Sequence, residues 1–190
     1  LAERSTQRIV LRKNLRYRKA TDVALEKVRI LPIQDNSTMV NLYKAGDLDW
    51  SGEVDLPALQ LAQLERDPGY HEDAFSGVYF YQINVGKPPF DQVALRRALG
   101  LAIDRKAIVK VLRGGLIASG AMVPRLPGYG RPGSLFEFDP AQAKAKLAEA
   151  GFPGGVGLAE IKLLYNTNEN HKRVAEMVQQ MWQAHLGVKV

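Results

Sequence analysis

The sequence predicts a mixed α/β fold whose two sub-regions meet near residues 75–84. Three observations carry that expectation. β-Branched runs bounded by polar turns, such as Arg8-Ile9-Val10-Leu11-Arg12 and 28–33, alternate with stretches whose apolar residues recur at helical spacing. Strong helix signals cluster in the second half, among them Asp139-Pro140 and the closing glycines Gly151 and Gly187. Between them lies the run 70–84, in which Val78, Phe80 and Gln82 alternate with Tyr79, Tyr81 and Ile83. Aromatic residues on both faces describe a strand that is buried on both sides or borders a cavity.

The elements follow in order. Residues 9–12 and 28–33 read as strands. Asp35-Asn36-Ser37 offers cap oxygens ahead of Met39, Val40, Leu42 and Tyr43, and Gly46 closes that helix. Residues 48–50 read as a short strand. Residues 56–66 form a helix with Leu56, Leu59 and Leu64 on its stripe and Pro57 in its first turn. After the aromatic run, Phe90-Asp91 opens a helix through Val93, Leu95, Ala98, Leu99 and Ala102. Asp104 caps another that carries Ile108, Val109 and Leu112 and ends at Gly114-Gly115. Residues 116–138 are a long Gly- and Pro-rich loop, of the kind that is functional or disordered. Asp139-Pro140 starts a helix to Ala150 with Gly151 beyond its end. Residues 161–165 read as a strand. Thr167 or Asn168 caps a helix with Val174, Val178, Met181, Trp182 and Leu186 on its inner face, and 188–190 begins a further strand. Both termini break into what reads as strand, as expected of a piece of a longer chain.

Composition narrows the function. The chain has 190 residues, 46% hydrophobic and 24% charged, which is ordinary globular usage. No run of 18 apolar residues is present to span a membrane. There are no cysteines, which excludes disulfides, thiolate metal sites and Cys nucleophiles. The net charge of +6 sits wholly in residues 1–30, which hold nine Lys/Arg against Glu3, Asp22 and Glu26; the remainder balances 17 basic against 17 acidic residues. Those cations alternate with apolar residues, as on the solvent face of a strand, and this argues against a nucleic-acid partner.

Familiar chemical motifs fail by context. Gly128-Tyr129-Gly130-Arg131-Pro132-Gly133 matches a dinucleotide fingerprint by letters, but no strand precedes it and Pro132 would break the helix it should open. His71, His171 and His185 have no metal-ligand spacing, so no metal and no cofactor is expected. No Gly-x-Ser-x-Gly elbow or Ser/His/Asp set appears, so no catalytic residue is assigned and no enzyme is expected.

Six blocks in order carry a resemblance: Lys44-Ala45-Gly46-Asp47-Leu48-Asp49; Tyr79-Phe80-Tyr81-Gln82-Ile83-Asn84; Pro89-Phe90-Asp91 through Arg97-Ala98-Leu99; Ala102-Ile103-Asp104-Arg105; Asp139-Pro140 through Ala150-Gly151-Phe152; and Leu164-Tyr165-Asn166-Thr167 with His171-Lys172. Together they resemble the family 5 extracellular solute-binding proteins, the oligopeptide and dipeptide receptors of ABC importers. Leu15 departs from the pattern, where the family often has proline.

The resemblance implies a periplasmic-binding-protein-like type II clamshell, here as a fragment with parts of both lobes. Residues 1–74 would be a returning segment of lobe I, 75–84 a hinge-crossing strand, and 85–190 the first part of lobe II. It implies an oligopeptide ligand, the membrane subunits of an ABC permease as partners, and a monomer at full length. The location would be periplasmic or extracellular, free or held by a lipoprotein anchor. The ligand-binding positions would be Phe75, Phe80, Gln82, Arg113 and His171. Phe75 and Phe80 stand where the family often has Tyr, and Gln82 stands where it has a cleft acid, so charge is lost there while hydrogen bonding is kept. Arg113 and His171 would meet the peptide carboxylate at different ligand lengths. The aspartate that meets the peptide amine would lie beyond Val190. The alternatives are the same fold holding a nickel chelate, an oligosaccharide or a cell-wall peptide, and a hydrolase acting on peptides.

Overall fold

A computed structural model describes residues 1–52, 56–73, 75–124, 126, 128–130 and 133–190, with the backbone alone at 58. The boundary expected at 74, and Arg131 and Pro132 of the glycine motif, lie outside the described residues. The chain divides into two compact units, Leu1–Val54 and Asp55–Val190.

The first unit is a three-stranded antiparallel sheet followed by a helix. Strands β1 (Glu3–Arg4), β2 (Ile9–Arg12) and β3 (Lys27–Ile30) lie in that order. Ile9 pairs with Ile30 and Val10 with Arg29, while Glu3 pairs with Val10. Only Val10 of these strands is buried, so the N-terminal cations stand in solvent as the alternation predicts. Some are paired there: Arg8 grips Glu3 with Nε and Nη2 at 2.8 and 3.1 Å. Helix α1 (Asn36–Ala45) is capped by Asp35, which accepts from the Thr38 N–H, and ends at Gly46 with φ 78°.

The second unit is helical around one core. Its helices are α2 (Ala58–Leu64), α3 (Val93–Leu101), α4 (Arg105–Leu112), α5 (Pro140–Glu149) and α6 (Glu169–Leu186). Helix α3 packs mainly on α5, and α5 and α4 on α6. Leu95, Leu99, Leu147, Val178 and Leu186 are almost wholly buried at the centre. Each such leucine contributes about 1.5–3 kcal/mol of burial free energy.

The C-terminal turn of α3 joins these helices. A helix leaves its last carbonyls without intrahelical partners. Here the Leu99 carbonyl accepts from Trp182 Nε1 of α6 at 2.9 Å, the Gly100 carbonyl from Arg105 Nη1 of α4 at 3.1 Å, and the Leu101 carbonyl from the Asp139 N–H at the head of α5 at 3.0 Å. Arg105 also lies 5.8 Å from the centre of the Phe136 ring. That ring covers Gly100, where a Cβ would sit 2.7 Å from it. The Leu135 N–H bonds to the Gly120 carbonyl at 2.9 Å and closes the base of the long 116–138 loop, which Phe136 sets against α3.

Several expectations are corrected. Helix α3 begins at Val93, not at Phe90-Asp91, because the Phe90 and Asp91 carbonyls accept from Arg96 Nη1 at 2.7 and 2.8 Å. Helix α2 starts after Pro57, which is its N-cap. Helix α4 ends before Arg113, ahead of the two glycines. Residues 48–50, 77–84, 161–165 and 188–190 are in no sheet among the described residues; a strand exists only where a second strand completes its ladder. Ile161 N–H still reaches the Lys189 carbonyl at 3.0 Å, a single bond between two of these segments.

Candidate functional site

The site grows from the head of α6. Asn168, extended at φ −153°, turns its amide oxygen onto the N–H groups of Asn170 and His171 at 2.9 and 3.0 Å. This cap starts the helix and sets His171 in its first turn, where the helix dipole favours anions. The next position in, Asn170, is buried, and its Nδ2 donates to the Leu56 carbonyl at 3.3 Å. That bond ties the first turn of α6 to the segment ahead of α2.

The His171 ring is held from two sides. Its Nδ1 is hydrogen-bonded to Asn166 Oδ1. Its face stacks on Tyr79, with ring centres 4.5 Å apart and planes inclined by 29°. Tyr79 in turn meets Tyr81 edge-on at 5.5 Å and 74°, and its hydroxyl donates to the Tyr81 oxygen at 3.4 Å. Tyr81 packs against the helical core. Burial pushes its phenol well above the usual tyrosine range. The cluster is therefore aromatic, rich in neutral polar groups, and set against a helix N-terminus. That chemistry suits a ligand with flat apolar parts and an anionic end.

Of the five positions expected from sequence, only His171 enters this cluster. Phe75 is exposed and folds its ring over Gly77, where a Cβ would lie 2.2 Å from Cε1. Phe80 is 46% exposed, so 77–84 is not buried on both faces. Gln82 is exposed as well. Arg113 caps the end of α4 with φ 60° and ψ −150°, a region that side chains avoid, and its guanidinium stands 3.9 Å from Glu65 with both groups half exposed. Gly114 and Gly115 continue the left-handed path at φ 65° and 66°.

Sequence reasoning missed Tyr79, Tyr81, Asn166 and Asn170 as parts of a site. The signal for the tyrosines was present, because residues two apart in an extended chain share a side. Two open hollows, of about 480 and 530 Å³, lie along the C-terminal half of α6. Among the described residues no three His, Asp or Glu side chains group as metal ligands would.

The family of bacterial extracellular solute-binding proteins, family 5 (middle region), matches residues 1–190. The chain is 35% identical over 192 residues to the oligopeptide-binding protein of Bacillus subtilis, covering 96% of this chain and 35% of that one. It is 31% identical over 199 residues to a probable deoxycholate-binding periplasmic protein of Escherichia coli, covering 97% of this chain and 35% of the relative. The crystal structure of a periplasmic oligopeptide-binding protein from Borrelia burgdorferi superposes with a TM-score of 0.89 at 30% identity, covering 99% of this chain and 38% of the other. The chain thus spans about a third of the length of these relatives, and the fold is that of periplasmic binding proteins, mixed α/β as the sequence predicts.

Proposed function

The chain belongs to the family 5 bacterial extracellular solute-binding proteins, and from that premise we propose that it is part of the substrate-binding component of an ABC importer for oligopeptides. In this reading residues 1–74 return through the first lobe, 75–84 cross to the second, and 85–190 open the second lobe. The protein captures a peptide between the lobes and passes it to a membrane permease, as a monomeric receptor in the periplasm or outside the cell, free or lipid-anchored. It binds and does not catalyse.

The observation that supports this best is the His171 cluster. An imidazole in the first turn of α6, stacked on Tyr79, is complementary to a chain end that carries a carboxylate. Arg113, on a different helix end, offers a permanent cation whose planar fork suits a carboxylate. Two such positions match peptides of different lengths. Phe75, Phe80 and Gln82 then belong to the side-chain pockets, which close when the ligand arrives. A second reading, the same fold holding a non-peptide solute, is favoured by the Escherichia coli relative named for deoxycholate and by the aromatic character of the cluster.

The test is calorimetric titration of tri- to pentapeptides into the full-length protein and its His171→Ala and Arg113→Ala variants. Each variant is expected to weaken particular lengths and spare others. Unchanged affinity across the whole series for both variants would overturn the peptide reading. Mass spectrometry of co-purified ligand separates peptide from other solutes.

A further inference from the structure

We propose that Asn166 and Tyr79 are positioning residues that fix the His171 ring with its hydrogen on Nδ1. The proposal rests on the reading of His171 as a ligand-facing group, and it adds to that reading the question of which ring nitrogen does the work.

Asn166 Oδ1 meets His171 Nδ1. An amide oxygen only accepts, so Nδ1 must donate, in the neutral ring as in the cation. The neutral imidazole then keeps its lone pair on Nε2, because the hydrogen bond made by one ring nitrogen decides the state of the other, and it is the protonated ring, with Nδ1 still held by Asn166, that offers an Nε2–H to a carboxylate. Solvated imidazole prefers the opposite tautomer, so this choice is imposed by the surroundings.

Tyr79 supplies the second constraint. It stacks on the ring at 4.5 Å and blocks one face. Turning the imidazole over about Cβ–Cγ would put Cδ2 where Nδ1 stands and break the Asn166 bond, and the turning ring would have to leave the Tyr79 stack on the way. The constraint is itself supported. Tyr79 is braced by Tyr81, which is rooted in the core, and the backbone of His171 is held by the Asn168 cap. Asn166 lies two residues before that cap, so one short stretch of chain both starts α6 and selects the tautomer.

The experiment is long-range nitrogen–proton correlation spectroscopy of the imidazoles in the full-length protein, at a pH where the rings are neutral. Exposed His71 serves as the internal reference for an unconstrained ring. His171 is expected to be protonated at Nδ1 while His71 favours Nε2. Asn166→Ala is expected to move His171 toward the Nε2-protonated form, and Asn166→Asp, which restores an acceptor, to return it to Nδ1. Tyr79→Phe keeps the stack and the tautomer, whereas Tyr79→Leu broadens the ring signals. A wild-type ring protonated at Nε2, or an Asn166→Ala spectrum unchanged from wild type, overturns the proposal.

Binding gives the second readout. With tri-, tetra- and penta-alanine as probes, Asn166→Ala is expected to lose about fivefold in affinity, the worth of one hydrogen bond, at the length that His171→Ala weakens. No loss at that length overturns the positioning role. If the tautomer is as stated but His171→Ala affects no peptide, the peptide reading fails while the positioning of the ring stands.

Discussion

The indole N–H of Trp182 donates to the Leu99 carbonyl at 2.9 Å inside the core of the helical unit. It is a side-chain bond from α6 to α3, and it occupies a carbonyl that α3 leaves open at its end. Because α6 carries His171 at its head, this bond also fixes the element on which the site is built.

Trp182→Phe removes the donor and leaves a buried acceptor unpaired. The expected cost is about 1–3 kcal/mol. It should appear as a lower urea midpoint with an unchanged slope. A midpoint equal to wild type would mean that the Leu99 carbonyl finds another partner.

Gly187 and Gly155 lie back to back where α6 ends against the turn that follows α5. Both are left-handed, at φ 69° and 79°. A Cβ on Gly187 would sit 2.4 Å from the Gly154 carbonyl oxygen, and one on Gly155 would sit 2.6 Å from the Gly187 carbonyl oxygen. Gly187→Ala is therefore expected to lose more than the roughly 1–2 kcal/mol that a left-handed side-chain residue costs on its own. Gly151→Ala is the control, being left-handed at φ 88° with open space around its Cβ. Thermal unfolding should rank Gly187→Ala below Gly151→Ala; the reverse order would show that the contact is relieved at no cost.

Arg113 combines a strained backbone with the chemistry proposed for it. Arg113→Gly should stabilise the fold by about 1 kcal/mol, since glycine accepts φ 60° and ψ −150° freely. The same change should weaken binding of the peptide lengths that meet the guanidinium. Denaturant midpoint and calorimetric affinity moving in opposite directions is the signature. A destabilised variant would show that the conformation is not strained.

Asp35 links the first unit to pH. Thr38 donates to its carboxylate from Oγ1 at 2.5 Å and from the backbone N–H at 2.6 Å. The side-chain bond first, and the backbone bond second, hold its pKa below the ordinary 3.8. A depressed carboxylate stabilises the folded state fully above its ordinary pKa. That contribution is lost as pH falls below 3.8 through the folded value. A carboxyl titration followed by NMR should place Asp35 below 3.8, and Asp35→Asn should keep the cap while removing this acid limb. A midpoint at or above 3.8 would show that Thr38 does not hold the carboxylate in solution.

The caps and stops of the helices were legible in the sequence because they are local. Asp35, Asp104, Asp139 and Asn168 each cap a helix by accepting from N–H groups two or three residues ahead, and Gly46 and Gly187 end helices by their own φ. The buried stripe Val174, Val178, Trp182 and Leu186 was equally plain, since its spacing is a property of one helix. The strands read at 48–50, 161–165 and 188–190 and in the aromatic run do not form among the described residues, because alternation names a face and not a partner, and a ladder needs two chains of hydrogen-bonding groups. The site divides in the same way. The sequence picked out His171 at a helix head, but the stack on Tyr79 and the bond to Asn166 arise only when the core brings the aromatic run to the start of α6. Side chains far apart along the chain meet through packing, and packing is set by the whole of the core at once.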